Sequence, residues 1–377
     1  MVKQLIMGNE AVVLGAIAAG CNFYAGYPIT PATEIMEEMA RLLPPRGGVF
    51  VQMEDELAAI AAVIGGAWGG AVAMTATSGP GFSLMQENIG YAAMTQTPCV
   101  VVDSQRGGPS TGLPTLPSQG DAMQAKFGSH GDRAALVLTA SSVMEAYEAT
   151  IAAFRLAERH RMPVVLLLDA IVSHMREPVD LPSMPEPKKR SFAKLDAGAD
   201  RFGDAPFVPF GEGPVTIVTG LSHDTTGLTG HSSGAVTERM LRQVLQKLKE
   251  DPEIAEAIQS YRLDDAEVVI VAYGITARAA MEAVDILRTR GQRVGLVNLK
   301  VLWPFPVEKI KEIASGVRIL VVAELNLGQM VMPVEAAVAG RTVVRSLTLA
   351  DGSLLTPEEI SEFVAHLISS IEVVSHA

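Results

Sequence analysis

At 377 residues, with 48% hydrophobic, 19% charged and 5% aromatic residues and 34 glycines, the chain has the profile of a tightly packed α/β protein of two or three domains. Its formal charge of 30 − 42 = −12 is spread without a long basic run, which argues against nucleic-acid binding and against docking on an anionic membrane, both of which need local Lys/Arg clusters. Two isolated cysteines, Cys21 and Cys99, make no disulfide framework and cannot ligate a 4Fe–4S cluster, which takes four thiolates; reduced thiols in a cytoplasmic protein are the expectation.

Taken in chain order, Met1–Met7 carries one lysine and no apolar h-region, so no signal peptide is expected. Asn9–Ala19 predicts a helix with a polar start and Gly20 as its stop. Pro31–Leu43, Asp55–Trp68, Phe82–Met94 and Ser142–His160 are further helical segments. Between them lie the short apolar runs Val49–Gln52, Ala71–Thr77, Cys99–Val102 and Val164–Leu168. Runs apolar on both faces and spaced by helices predict a parallel sheet covered on both sides. The long uncharged stretch Leu57–Gln86 is broken by Gly65-Gly66, Gly69-Gly70 and Ser78-Gly79-Pro80-Gly81. It reads as buried helix, strand and turn rather than as a membrane span. Asp103–Gly120 reads as a Gly/Pro/Ser/Thr loop after a strand.

Beyond Pro178 the chain changes character. Pro182, Pro185, Pro187, Pro206, Pro209 and Pro214 mark an irregular connector, with one mixed-charge helix at Thr237–Lys249. A second βα series follows: a strand at Glu267–Tyr273, a helix at Thr276–Arg290 ended by Gly291, and strands at Val294–Leu299, Ile319–Ala323 and Thr342–Ser346. The expected division is therefore a sheet domain over 1–180, a connector over 181–262 and a smaller α/β domain over 263–377.

Several residues stand out chemically. Pro31 suits the first position of a helix and Thr30 its N-cap, and a helix N-terminus at the carboxyl end of a strand also favours anions. Glu56 opens an otherwise uncharged helix beside Glu54 and Asp55; it either complements the helix dipole or is a carboxyl with a raised pKa. Arg106 precedes Gly107–Thr115, where Leu113 replaces the lysine that a phosphate loop requires. Arg106 is thus a solvated arginine or a carboxylate clamp assisted by Thr111 and Thr115. Ser78-Gly79-Pro80-Gly81 is a tight turn between strand and helix, and Leu84 denies it a dinucleotide fingerprint. His130, His174, His223 and His231 show no metal-ligand spacing; His130 with Asp132 is a candidate polar pair, a satisfied loop histidine being the simpler reading.

Together Tyr27–Pro31, Glu54–Glu56 with its Ala-rich helix, Thr77–Leu84, Gln105–Thr115, Gln119-Gly120-Asp121, Phe127–Asp132 and Leu302–Pro306 resemble the α subunit of the 2-oxoacid:ferredoxin oxidoreductase family over nearly the whole chain. The resemblance implies a thiamine-diphosphate-binding parallel sheet domain of the pyrimidine type and a transketolase C-terminal-like α/β domain. It implies that Thr30 meets the oxoacid end of the substrate and that Glu56, with Glu54 as fallback, is the carboxylate that activates the aminopyrimidine. Arg106 and Thr115, with Thr111 beside them, would bind the substrate carboxylate, and Ser78, Gly79, Pro80 and Gly81 would line the cofactor. The run Arg106-Gly-Gly-Pro-Ser-Thr-Gly-Leu-Pro-Thr115 is similar to the form typical of 2-oxoglutarate enzymes.

The Gly-Asp-Gly…Asn motif that holds the diphosphate through Mg²⁺ has no counterpart. The resemblance therefore implies a β subunit that brings this motif, the Mg²⁺ and the 4Fe–4S cysteines. Separate γ and δ chains, or a reduced complex, would complete the assembly. The implied reaction is CoA-dependent oxidative decarboxylation of 2-oxoglutarate to succinyl-CoA and CO₂ with reduction of ferredoxin, or its reverse. Pyruvate or branched-chain 2-oxoacid enzymes, a non-redox thiamine enzyme and a non-catalytic assembly subunit are the competing readings.

Overall fold

The computed structural model describes residues 3–182, 192, 205–213, 217–224, 228–229 and 234–375. Pro185, Pro187, Pro214 and His231 of the sequence reading lie outside the described residues.

Three strands, Ala73–Thr77, Cys99–Gly107 and Pro163–Asp169, are buried along their whole length. They form the middle of an eight-stranded sheet. Its order is Val301–Trp303, Leu136–Thr139, Pro163–Asp169, Cys99–Gly107, Ala73–Thr77, Phe23–Gly26 and Val49–Gln52, with Leu113–Pro117 hung on Cys99–Gly107. The pairs from Leu136–Thr139 through to Val49–Gln52 are all parallel, and burial on both faces explains their continuous apolar composition. Alternation sends Val100 and Val102 into one core and Cys99 and Val101 into the other. Helices Gly8–Ala18, Thr33–Leu42 and Val143–His160 cover the first face, and Glu56–Trp68 and Pro80–Met94 cover the second. Each fully buried Val, Leu or Ile contributes roughly 1.5–3 kcal/mol. At Gly15 the helices Gly8–Ala18 and Val143–His160 approach so closely that a Cβ would lie 2.6 Å from the Tyr147 carbonyl oxygen.

A second, five-stranded sheet runs Ile258–Tyr261, Val294–Leu299, Val268–Ala272, Ile319–Glu324, Val343–Thr348, with only the first strand antiparallel. Ile258–Tyr261 lies inside the stretch expected to be irregular connector. Its side chains are half-exposed, as suits an edge strand, so it carries no apolar run. The helix expected at Thr237–Lys249 spans Gly234–Glu250. No helix among the described residues is long and apolar enough to cross a membrane.

The two sheets are stapled together. Val301–Trp303 leaves the second sheet and pairs antiparallel with Leu136–Thr139 of the first, and Trp303 Nε1 donates to the Ala122 carbonyl at 2.8 Å. Gln119, fully buried, is the polar centre of the junction. Its Nε2 donates to the Tyr273 carbonyl at 2.8 Å, while its Oε1 accepts from Leu325 N at 3.0 Å and Thr276 Oγ1 at 3.2 Å. Its backbone carbonyl accepts from Asn326 Nδ2 at 2.8 Å and Tyr273 Oη at 3.2 Å. Replacing it by leucine removes the side-chain bonds to the Tyr273 carbonyl, Leu325 N and Thr276 Oγ1, at about 1–3 kcal/mol each. Gln119→Leu is therefore expected to lower stability by about 3–6 kcal/mol in chemical denaturation; a loss near zero would show that the junction is not polar in origin.

Two local expectations are corrected. Thr30 is not an N-cap: the helix runs Thr33–Leu42 with Ala32 as its cap. Asn9, from a distant helix, takes the Pro31 carbonyl at 2.8 Å and reaches Glu34 at 2.9 Å. Asp103–Gly120 is not a loop throughout. The strand from Cys99 continues to Gly107, and Leu113–Pro117 returns against it, pairing Gly107 with Leu113 and Arg106 with Pro117. Ser110 and Gly112, at φ 59° and 53°, make the tight turn. The hairpin's Gly/Pro/Ser composition conceals its pairing.

Candidate active site

The carboxyl ends of Phe23–Gly26, Val49–Gln52, Ala73–Thr77 and Cys99–Gly107 sit side by side in one sheet, the usual place for ligands in parallel α/β folds. Glu56 comes from the second of these ends. Asp55 caps the helix, accepting from Ala58 N at 2.8 Å, which puts Glu56 at the first helical position. The helix turns Glu56 inward, where it is only 5% exposed. Burial pushes its carboxyl above the ordinary glutamate range, with neighbouring Asp55 adding to the rise and the Arg106 guanidinium opposing it.

The turn after Ala73–Thr77 faces this carboxyl. A side chain at Gly81 would collide with both the Thr77 hydroxyl and the Glu56 carboxyl. Gly79 takes φ +38°, a conformation that favours glycine. Pro80 then occupies the first turn of the helix Pro80–Met94. The Thr77 and Ser78 hydroxyls are buried and find no hydrogen-bond partner among the described residues.

Arg106, at 8% exposed, lies beside Gly79, and its Nη1 donates to the Thr30 carbonyl at 2.7 Å. Its Nε is buried without an acceptor, and no carboxylate forms an ion pair with it among the described residues. An enclosed guanidinium with a donor left over is suited to an arriving anion. The Thr30 side chain is exposed, as are Thr111 and Thr115 on the hairpin, and Glu54. The fold thus brings Glu56, Ser78, Gly79, Pro80, Gly81, Arg106 and the Thr30 carbonyl together. No hydrogen bond joins Thr111 or Thr115 to Arg106 among the described residues.

Two further carboxyls were not singled out by sequence reasoning. Asp103, on the strand that carries Arg106, is fully buried and faces Asp121 across the base of the hairpin. Burial first, then repulsion by Asp121, raises Asp103 far above the usual carboxylate range; burial pushes Asp121 up to about 6, with Asp103 and Arg106 opposing. The available signal was a charge directly following the all-apolar Cys99–Val102. His130 faces Glu87 at 3.4 Å rather than Asp132, with both side chains largely exposed. Cys21 and Cys99 are free and buried.

The residues present fit thiamine diphosphate: a carboxyl of raised pKa, a glycine turn that leaves room beside it, and orphaned hydroxyls at the same place. They offer no cationic nest for a diphosphate.

Comparison with known proteins agrees with this class of site. The family model described as pyruvate flavodoxin/ferredoxin oxidoreductase, thiamine-diphosphate-binding, matches residues 14–249, and pyruvate:ferredoxin oxidoreductase core domain II matches 266–360. The chain belongs to this family, the 2-oxoacid:ferredoxin oxidoreductases. Within it, the chain is 48% identical to the 2-oxoglutarate synthase subunit KorA of Methanothermobacter marburgensis over 371 residues, covering 95% of this chain and 97% of the relative. The solved 2-oxoglutarate:ferredoxin oxidoreductase from Magnetococcus marinus, with 2-oxoglutarate, coenzyme A and succinyl-CoA bound, superposes with TM-score 0.89 at 34% identity, covering 97% of this chain and 65% of that one. A split-gene transketolase, described as an inactive β4 tetramer, shares the fold at TM-score 0.58 and 14% identity, covering 96% and 97% of the two chains.

Proposed function

We propose that this chain is the α subunit of a 2-oxoglutarate:ferredoxin oxidoreductase, which forms succinyl-CoA and CO₂ from 2-oxoglutarate and CoA while reducing ferredoxin, or runs the reverse. The observation that carries the reading is the buried Arg106 guanidinium, in no ion pair among the described residues, near a glutamate of raised pKa. The similarity to 2-oxoglutarate enzymes supports the substrate.

Thiamine diphosphate, when bound, supplies the carbon nucleophile and electron sink that a 2-oxoacid needs to lose its carboxyl as CO₂. Glu56 would hold a proton against the aminopyrimidine, and the Ser78–Gly81 turn would line that ring. Arg106 would take a substrate carboxylate in its planar fork, with Thr30 orienting the oxoacid end. Thr111 and Thr115, on the hairpin beside Arg106, would close over the substrate and add hydroxyl donors. Enclosure strengthens each of these contacts by excluding water.

On this reading the chain divides into a pyrimidine-type domain over 1–180, a connector over 181–262 and a transketolase C-terminal-like domain over 263–377, with Ile258–Tyr261 of the connector joining the second sheet and Val301–Trp303 crossing to the first. The diphosphate, its Mg²⁺ and the 4Fe–4S centre belong to a β subunit, and separate γ and δ chains complete a cytoplasmic complex that delivers electrons to ferredoxin. Co-expression of this chain with candidate β chains tests this arrangement. The pair is expected to reduce a viologen with 2-oxoglutarate and CoA, and neither chain alone to do so. Turnover by the isolated chain would contradict it.

A further inference from the structure

The far end of the helix Pro80–Met94 borders a cavity that the proposed reaction does not use. It measures about 280 Å³ and lies between that helix, residues 129–134, residues 161–162 and the helix Gly234–Glu250. At 1.5 Å per residue, a helix of 15 residues puts it roughly 20 Å from the Ser78–Gly81 turn. It shares no lining residue with the Glu56–Arg106 site.

Met94, Met162, Met240 and Val244 give the cavity its apolar wall, and methionine adapts readily to the shape of a guest. The polar wall contains two side chains with donors to spare. Gln96 is only 9% exposed, and its Nε2 finds no hydrogen-bond partner. Arg133 is half-buried; its Nη2 donates to the Ala125 carbonyl at 2.6 Å and its Nε has no acceptor, while no hydrogen bond from Nη1 is formed among the described residues. Burial lowers the Arg133 guanidinium to about 10, with no neighbouring carboxylate to hold it up. Arg161 also lines the cavity, but its Nη1 is committed to the Ala205 carbonyl at 2.8 Å. The acidic side chains of the lining, Glu87 and Asp132, are exposed, and Glu87 faces His130 at 3.4 Å, so solvent screens them.

The backbone marks the same place. Gln96 and Arg161 stand just beyond the ends of the helices Pro80–Met94 and Val143–His160, in the left-handed conformation at φ 52° and 50°. Glycine is the usual residue in that position. A glutamine and an arginine there instead put strained backbone on the wall of one cavity, as ligand sites commonly do.

We propose that this cavity binds a small monocarboxylate with an apolar body, its carboxylate taken by Arg133 and the Gln96 amide and its body lying among the three methionines. A single negative charge suits the site, because one guanidinium has open donors and the carbonyl ends of two helices nearby disfavour a second charge. The volume, at the lower end of ligand pockets, suits a molecule of the size of phenylacetate. No part of this depends on the reaction assigned to the Glu56–Arg106 site.

Titration calorimetry of the full chain tests the proposal, with phenylacetate and 3-methylbutanoate as probes and phenylacetamide as the uncharged comparator. At least one of the two carboxylates is expected to bind saturably with a Kd at or below about 1 mM, and phenylacetamide at least about tenfold more weakly than phenylacetate. Arg133→Gln should weaken carboxylate binding at least about tenfold. Gln96→Gly should weaken it about threefold or more, yet unfold at the same or a higher denaturant concentration than wild type, since glycine suits the left-handed backbone. A merely structural glutamine would instead cost stability and leave binding alone. Ala93→Phe, which fills the cavity from the helix, should abolish binding; should Arg133→Gln fail to fold, this variant and Gln96→Gly decide. Arg106→Ala should leave the Kd unchanged, which separates this cavity from the oxoacid site. Binding of neither carboxylate, equal affinity for phenylacetamide, a Kd unmoved by Arg133→Gln or Ala93→Phe, or loss of binding in Arg106→Ala overturns the proposal.

Discussion

Arg106→Ala is expected to raise the KM for 2-oxoglutarate at least about 30-fold while lowering kcat much less. The side chain is nearly enclosed, bonds the Thr30 carbonyl through Nη1 and forms no ion pair with a carboxylate among the described residues. Losing one member of a buried, hydrogen-bonded charge pair costs about 2–5 kcal/mol, and each 1.4 kcal/mol is tenfold in binding. Arg106→Lys should recover only part of the loss, because an ammonium cannot present the planar double donor that a carboxylate accepts. Steady-state viologen reduction by the complex measures both constants. A KM within twofold of wild type would remove Arg106 from the substrate site.

Glu56→Gln should do the converse, lowering kcat about a hundredfold or more with little change in KM, as befits the loss of a positioned proton-transfer group. The same substitution has a stability signature that separates it from misfolding. Burial raises the folded pKa of Glu56 above its unfolded value. Its contribution to stability is therefore fully present below the ordinary glutamate range and is lost as pH rises through the raised value. At neutral pH the wild type consequently bears the cost of a buried carboxylate that glutamine, of the same shape and uncharged, does not. Glu56→Gln is expected to unfold at higher denaturant concentration than wild type at neutral pH and to lose this advantage at acidic pH. A less stable variant at neutral pH would show that the charge of Glu56 is well compensated in the fold. Equal small effects of Arg106→Ala and Glu56→Gln on both kinetic constants would refute the division of labour.

These sites were legible to different degrees for physical reasons. Glu56 and its capping neighbour Asp55 stand at the junction of a strand and an uncharged helix, so local pattern alone placed them: the helix expected at Asp55–Trp68 spans Glu56–Trp68. The buried parallel strands were equally plain, because burial on both faces writes itself as continuous apolar sequence. Thr30 was misread because its surroundings are set from afar. Pro31 and Glu34 are claimed by Asn9, and the helix begins at Thr33 instead. The hairpin at Cys99–Pro117 was hidden by turn-forming residues that nevertheless pair. Val301–Trp303 gave no sign that it would leave its own sheet for the other, since only tertiary packing decides which edge a short strand joins.

The placement of Gln119 sharpens this point. A glutamine between Ser118 and Gly120 looks like a loop residue, yet it ties the base of the Arg106 hairpin to Tyr273, Thr276 and Leu325 of the second sheet. The second sheet thus bears on the base of the Arg106 hairpin. Asp121, two residues on, is held by the strand that carries Arg106, its amide donating to Gln105 Oε1 at 3.2 Å. Whatever loosens that junction should disturb the Arg106 site before it disturbs Glu56, which rests on the opposite side of the Ser78–Gly81 turn.

The most direct test of the central claim is substrate choice. The complex of this chain with its β subunit should reduce a viologen, with CoA present, at a kcat/KM for 2-oxoglutarate at least about tenfold above that for pyruvate, and Arg106→Ala should narrow the gap. Preference for pyruvate, or a ratio unchanged by Arg106→Ala, would contradict the account.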